Sequence, residues 1–149
     1  MRAPAQVRFE RLQKLIQRLS DEAKQGALIV VEGTRDKKSL ESMGIRGRIE
    51  CIQSSRRSTF SFAERLYGEK NVIILTDFDR QGVFLANRLA RILNTQAIHA
   101  NLVLWRELRS LTRSELRSIE ELPRLHERLA DEVQFHRSVV ADIRWHSNP

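Results

Sequence analysis

NVIILTDFDRQG, residues 71–82, decides the fold. Asn71 to Thr76 form a short, continuous apolar run rich in β-branched side chains. It is the clearest strand in the sequence. The chemistry then changes abruptly. Asp77 and Asp79 stand two residues apart, Arg80 follows, and Gly82 opens the stretch VFLANRLARILN. There Leu85, Leu89, Ile92 and Leu93 recur at helical spacing, and Asn94 is a stop. Strand, acidic turn and helix make up the first two parts of a βαβ unit.

The same pattern recurs on both sides. Upstream, ALIVVE (27–32) is a short continuous apolar run, rich in β-branched residues, that suits a strand buried on both faces of a parallel sheet and ends in an acid. GTRDKKSLESMG then supplies a turn, a cap at Thr34 or Asp36, a short helix and a glycine exit. RIECI (48–52) reads as a strand, QSSRRST as a loop and FSFAERLYG as a helix, while AIHANLVL (97–104) reads as a fourth strand. Residues 5–25, with Phe9, Leu12, Leu15, Ile16 and Leu19 near helical spacing and Gly26 as a stop, predict an N-terminal helix. Beyond residue 104 the text reads as one or two helices broken at Pro123. The expectation is an α/β fold, a parallel sheet of about four strands flanked by helices. One domain spans 1–149: an N-terminal helix (1–26), a core (27–103) and a C-terminal helical extension (104–149).

Composition narrows the partners. Residues 1–103 hold 18 Lys and Arg against 11 Asp and Glu, so they carry the whole net charge of +7; residues 104–149 hold 8 of each. Arginine outnumbers lysine 21 to 5, and a guanidinium fork suits phosphate better than an ammonium does. Nucleic acid, RNA or DNA, is the natural partner. The balanced C-terminal helices suit packing, self-association or docking of a protein partner. No run approaches a membrane span, MRAPAQVRFERL has no apolar stretch and does not read as a secretory signal, and Cys51 is the only cysteine. A cytoplasmic location follows as the expectation, with Cys51 packed as a small apolar residue.

In an open parallel sheet, ligands gather beyond the carboxyl ends of the strands. Glu32 ends one strand and Asp77 follows another directly, so neighbouring strands would bring both into one crevice. Asp79, at i+2 from Asp77, would project to the same side on extended backbone. Carboxylates so close repel unless a cation or a proton compensates them. Hard oxygen donors suit Mg²⁺, with Mn²⁺ as a substitute. Gly82 permits close backbone approach at a helix N-terminus that favours an anion. Arg80 lies in the same turn, and Arg35, Lys37 and Lys38 lie beside Glu32. The carboxylates would hold metal while these cations hold phosphate. Ser54, Ser55, Arg56, Arg57, Ser58 and Thr59 read equally as a phosphate clamp or as a solvated loop whose hydroxyls cap the next helix.

These motifs resemble those of the Toprim family. LIVVEGTRD is similar to the first Toprim motif, an apolar strand ending in Glu-Gly with an Asp shortly after. ILTDFDRQG is similar to the second, a strand followed by D-x-D-x-x-G. The match extends over roughly residues 27–103. The chain looks like the small stand-alone Toprim proteins of archaea, and its core resembles that of the ribonuclease that matures 5S ribosomal RNA. The resemblance implies a Toprim/Rossmann-like sheet. It implies Glu32 as the catalytic general acid or base, and Asp77 and Asp79 as Mg²⁺ ligands beside Glu32, with Asp36 as an accessory acid. Gln81 and Val83 depart from the D-R-E-G-E form of type IA topoisomerases, which removes two glutamates and weakens any topoisomerase-like reading.

Hydrolysis needs the least additional machinery. Tyr67, the one tyrosine, reads as core packing in a helix and not as a nucleophile. A single cysteine excludes zinc modules. His99, His126, His136 and His146 lack metal-ligand spacing and read as surface or partly packed, while Trp105 and Trp145 read as core. The leading expectation is a Mg²⁺-dependent nuclease or phosphodiesterase, with RNA slightly favoured over DNA. The alternative is a catalytically silent nucleic-acid-binding adaptor in an RNA-processing or ribosome-associated complex. A phosphotransfer receiver domain lacks its downstream lysine.

Overall fold

The structure, a computed structural model, describes residues 3–53, 58–112 and 115–147. Helix α1 (Ala5–Lys24) leads into strand β1 (Leu28–Val31), then α2 (Thr34–Ser42), β2 (Arg48–Cys51), α3 (Thr59–Glu64) and β3 (Asn71–Leu75). The chain continues through α4 (Arg80–Thr95), β4 (His99–Asn101), α5 (Val103–Thr112), a 3₁₀ turn (Ile119–Glu121) and α6 (Leu122–Ser147). All four strands are parallel, in the order β2-β1-β3-β4. The expected four-stranded parallel sheet, with helices on its faces, a leading helix and trailing helices, is the fold observed.

The two central strands are β1, which read as buried on both faces, and β3, the clearest strand of the sequence. Leu28 to Val31 and Val72 to Leu75 are inaccessible to solvent or nearly so. Their register pairs Val31 with Leu75 and with Cys51. β2 alternates, with Ile49 and Cys51 buried and Arg48 and Glu50 exposed, which marks it as an edge strand. Parallel crossovers are right-handed almost without exception. The β1-to-β2 crossover through α2 therefore lies on one face, and those through α3 and α4 lie on the other. α1, α5 and α6 pack together and α6 touches α2, so they share the α2 face, while α3 packs on α4. The chain leaves β1 toward one edge and β3 toward the other. The junction between β1 and β3 is thus the topological switch point where α/β folds bind ligands.

The helices follow their apolar stripes. Leu12, Leu15 and Leu19 of α1 are buried with Arg8 and Ala23. Arg8 pairs with Glu115, which also pairs with Arg128 of α6, so one carboxylate links the first and last helices. In α4 the wholly buried side chains are Ala86, Leu89 and Leu93, with Ala90 beside them; Leu85 and Ile92 pack at the margin.

Four expectations are corrected. The fourth strand is three residues long and not eight: the Asn101 side chain accepts a hydrogen bond from the Val103 backbone N–H (2.9 Å), starting α5. Pro123 does not break a helix; it sits in the first turn of α6, where an N–H would be orphaned anyway. Tyr67 lies past α3 and is 86% exposed. Trp145 is 82% exposed, because α6 outruns the body and every described side chain from Gln134 to His146 is exposed except Val140. Trp105 is buried as expected, and Cys51 is buried. His99 and His136 are exposed, and His126 is half-buried beside Gln13 and Phe9. Among the described residues no helix is long and apolar enough to cross a membrane.

Candidate functional site

Glu32 continues β1 past its last ladder residue and is buried. Its carbonyl still accepts from Gln53 N (3.0 Å), so the backbone is fixed by β2. Across the switch point, Asp77 N donates to Glu32 Oε1 at 3.1 Å, which brings the two acids together. Two acids so close need a proton or a cation. Residues 32 and 77, remote in sequence, therefore meet, because their strands are the neighbours that the expectation required.

Asp79 does not join them in the same way. It is exposed, and its Oδ1 accepts from Gly82 N at 2.7 Å as the N-cap of α4. Its other oxygen stays available at the rim. The extended-backbone expectation that Asp77 and Asp79 project together is thus modified by the helix cap. Gly82 is required sterically: a Cβ there would lie 2.0 Å from the Asp77 carbonyl oxygen. Thr76 Oγ1 donates to Gly82 O (2.8 Å), and Trp105 Nε1 donates to Thr76 O (2.9 Å), so the acidic turn is held from both faces of the sheet.

Asp36 is buried at the third position of α2. Its Oδ2 accepts from Gly33 N (3.0 Å) and its Oδ1 from Glu120 N (3.1 Å). Asp77 Oδ1 accepts from Ile119 N (3.3 Å). The 3₁₀ turn thus closes over the acids with two backbone N–H groups, a contribution not anticipated from sequence. Ser118-Ile119-Glu120-Glu121 carries the S-x-x-E signature of a helix start, which predicts a turn there but not where it docks.

Electrostatics follow from this crowding. Burial, with Asp36 and Glu32 nearby, pushes the Asp77 carboxyl up to about 7. Burial also raises Glu32, against the lowering effect of its hydrogen bonds to Asp77, and it raises Asp36. Around the acids, Arg35, Lys38 and Arg80 are exposed and Lys37 is half-buried. Arg56, Arg57, Ser54 and Ser55 lie outside the described residues. Of the remaining loop residues, Ser58 caps α3 by accepting from Ser61 N (3.2 Å), the helix-capping alternative, and Thr59 begins that helix.

Among the described residues no three His, Cys, Asp or Glu side chains converge on one metal position. The donor chemistry still fits a hard divalent ion at the Glu32–Asp77 pair. Mg²⁺ commonly takes one or two carboxylates and completes its shell with water and substrate oxygens. A buried glutamate and a half-buried aspartate held together are a place where such an ion can replace a proton.

The fold and this acidic switch point define the class: the chain belongs to the Toprim domain family, whose profile matches residues 26–103. This is a nucleic-acid-related, metal-binding class of domain. More particularly, the chain is similar to the archaeal UPF0292 proteins. It is 40% identical over 116 residues to the UPF0292 protein of Methanosarcina acetivorans, covering 77% of this chain and 79% of that one. It is 36% identical over 121 residues to that of Thermococcus kodakarensis, covering 81% and 87%. A solved structure of a protein from Aquifex aeolicus superposes with a TM-score of 0.62 at 26% identity, covering 73% of this chain and 95% of that one.

Proposed function

We propose that this protein hydrolyses phosphodiester bonds of RNA or DNA with Mg²⁺, using Glu32, Asp77 and Asp79 as its acidic group. The observation that carries the proposal is the meeting of Glu32 and Asp77 at the sheet's switch point, where Asp77 N donates to Glu32 Oε1, with Asp77 raised to about 7. Glu32 and Asp77 would hold the ion, with the uncapped oxygen of Asp79 at the rim. When bound, the ion supplies Lewis-acid polarisation of a phosphoryl oxygen and a more acidic water.

The chain's own groups do the rest. Glu32, buried and with its carboxyl raised above the usual range, is suited to take and return a proton. Asp77 N–H fixes Glu32 Oε1, so its orientation does not depend on ligand. Arg35, Lys38 and Arg80, with Lys37 behind them, would hold backbone phosphates without reading bases. Trp105 and the 3₁₀ turn hold the acidic turn in place through their hydrogen bonds to Thr76, Asp77 and Asp36.

The test is cleavage of single- and double-stranded RNA and DNA with Mg²⁺ or Mn²⁺, in wild type and Glu32→Gln. Cleavage should be metal-dependent and should fall by about 10²-fold or more in Glu32→Gln. A protein that cleaves none of these substrates, or a variant that cleaves as wild type does, overturns the proposal.

One set of contacts favours a second reading, a catalytically silent nucleic-acid-binding adaptor. Both Asp36 oxygens and one Asp79 oxygen are engaged by backbone N–H groups, and Gln81 and Val83 stand where related motifs carry glutamates. Equal RNA affinity in wild type and a Glu32→Gln/Asp77→Asn double variant, without turnover in either, identifies that case.

A further inference from the structure

The face formed by α3 and α4 carries a feature that the acidic site does not use. Phe60, at the start of α3, and Phe84, in the first turns of α4, are 52% and 59% exposed. They line one open groove of about 350 Å³ with Arg88, Arg91 and Ile92. That volume falls within the roughly 300–1,000 Å³ of sites that take small organic ring systems. Exposed phenylalanines in pairs call for an explanation, since each leaves a large apolar surface in water.

Charge selects the occupant. α4 carries Arg80, Arg88 and Arg91 and no acidic residue along its 16 residues. Among the described residues neither Arg88 nor Arg91 forms an ion pair; Arg91 only donates weakly to its own helix at Asn87 O (3.5 Å). An apolar partner protein would leave both guanidinium groups without counter-charges. A single nucleic-acid strand satisfies both halves of the groove. Its bases present flat faces to Phe60 and Phe84, and its phosphates accept from the arginines. A duplex keeps its bases stacked inside and offers the rings nothing.

We infer that the Phe60–Phe84 groove binds unpaired nucleotides, with Arg88 and Arg91 on the strand's phosphates, so that single-stranded nucleic acid is the substrate form delivered to the acidic site. Both α3 and α4 start at the carboxyl edge of the sheet, the same edge that carries Glu32 and Asp77. A strand seated in the groove therefore enters the acidic site from the α4 side. This rests on the nucleic-acid part of the proposed function and not on turnover.

The test is fluorescence anisotropy with a short labelled single-stranded RNA and its duplex. Phe60→Ala/Phe84→Ala should weaken single-strand binding by about tenfold or more, as expected for two lost stacking partners, with duplex binding unchanged. Phe60→Leu/Phe84→Leu keeps apolar bulk and should show the same loss, while Phe60→Tyr/Phe84→Tyr should restore binding. Arg88→Gln/Arg91→Gln should flatten the salt dependence of log K on single strands by roughly 1.4, the slope of two phosphate contacts. Alanine variants that bind like wild type, an equal loss on duplex, or leucine variants as good as phenylalanine overturn the inference; the last marks an apolar protein-docking face. Glu32-dependent cleavage with unaltered binding in these variants removes the groove alone. Groove-dependent binding without cleavage removes only the hydrolytic reading, and a wild type that binds no nucleic acid removes both.

Discussion

Asp77 gathers the conflicting demands on this fold into one side chain. It must follow a buried strand, hydrogen-bond a buried glutamate and accept from Ile119 N, all while half-desolvated. Its folded pKa is raised from 3.8 to about 7, and Glu32 and Asp36 move in the same direction. An acid with a raised folded pKa binds its proton more tightly in the folded state than in the unfolded one. The stability it contributes is therefore fully present below about pH 4 and is lost as pH rises through about 7. In the presence of a chelator, thermal melts should show stability falling between these limits, and Asp77→Asn should flatten the fall. Mg²⁺ should raise the melting temperature more at pH 8 than at pH 5, because only the ionised acids invite it; equal shifts at both would count against a metal at this pair. Gly82 is the other residue with no latitude. Gly82→Ala places a Cβ against the Asp77 carbonyl, where overpacking should cost about 3 kcal/mol in urea unfolding.

Elements meet at this site through backbone groups more than through side chains. β1 and β3 deliver Glu32 and Asp77, α4 turns Asp79 into its own cap, and the 3₁₀ turn donates two N–H groups to Asp36 and Asp77. The turn's position depends on α6 behind it, and α6 is tied to α1 by Glu115 between Arg8 and Arg128. The Arg8 and Glu115 side chains are each only 9% exposed. Glu115→Gln strands a buried guanidinium, so it should destabilise by about 3–5 kcal/mol. Hydrogen exchange should then quicken at Ile119 and Glu120. A variant with wild-type stability would show that helix packing alone holds the C-terminal elements in place.

Across the whole molecule, charge is divided by role. The basic excess lies in residues 1–103, which contain the sheet, the acidic turn and α4, whereas the charge-balanced remainder packs α5 and α6 against α1. Long-range steering of a polyanion thus comes from the same part of the chain that carries the candidate site. Binding to single-stranded RNA should weaken linearly in log–log salt titration, with a slope of about −0.7 per phosphate contact. Adding salt should weaken cleavage of single strands in parallel. Salt-independent binding would remove nucleic acid as the partner.

The strand runs at 27–32 and 71–76, the acids that end them, and the helical stripes of α1 and α4 were legible from local pattern alone, because each expresses its neighbours' periodicity. Those same runs placed residues 32 and 77 at strand ends, where they would meet if the strands were neighbours; that β1 and β3 pair was decided by the tertiary structure. Other features belong to the tertiary structure. Asn101 redirects VL into α5, Tyr67 and Trp145 fall outside the core, Asp79 becomes a cap, and Ile119 and Glu120 close over Asp36 and Asp77. Phe60 and Phe84, ordinary helix residues by pattern, share a groove only because α3 packs on α4. Hydropathy reports whether a residue favours burial, but which surfaces remain uncovered depends on contacts between segments far apart along the chain.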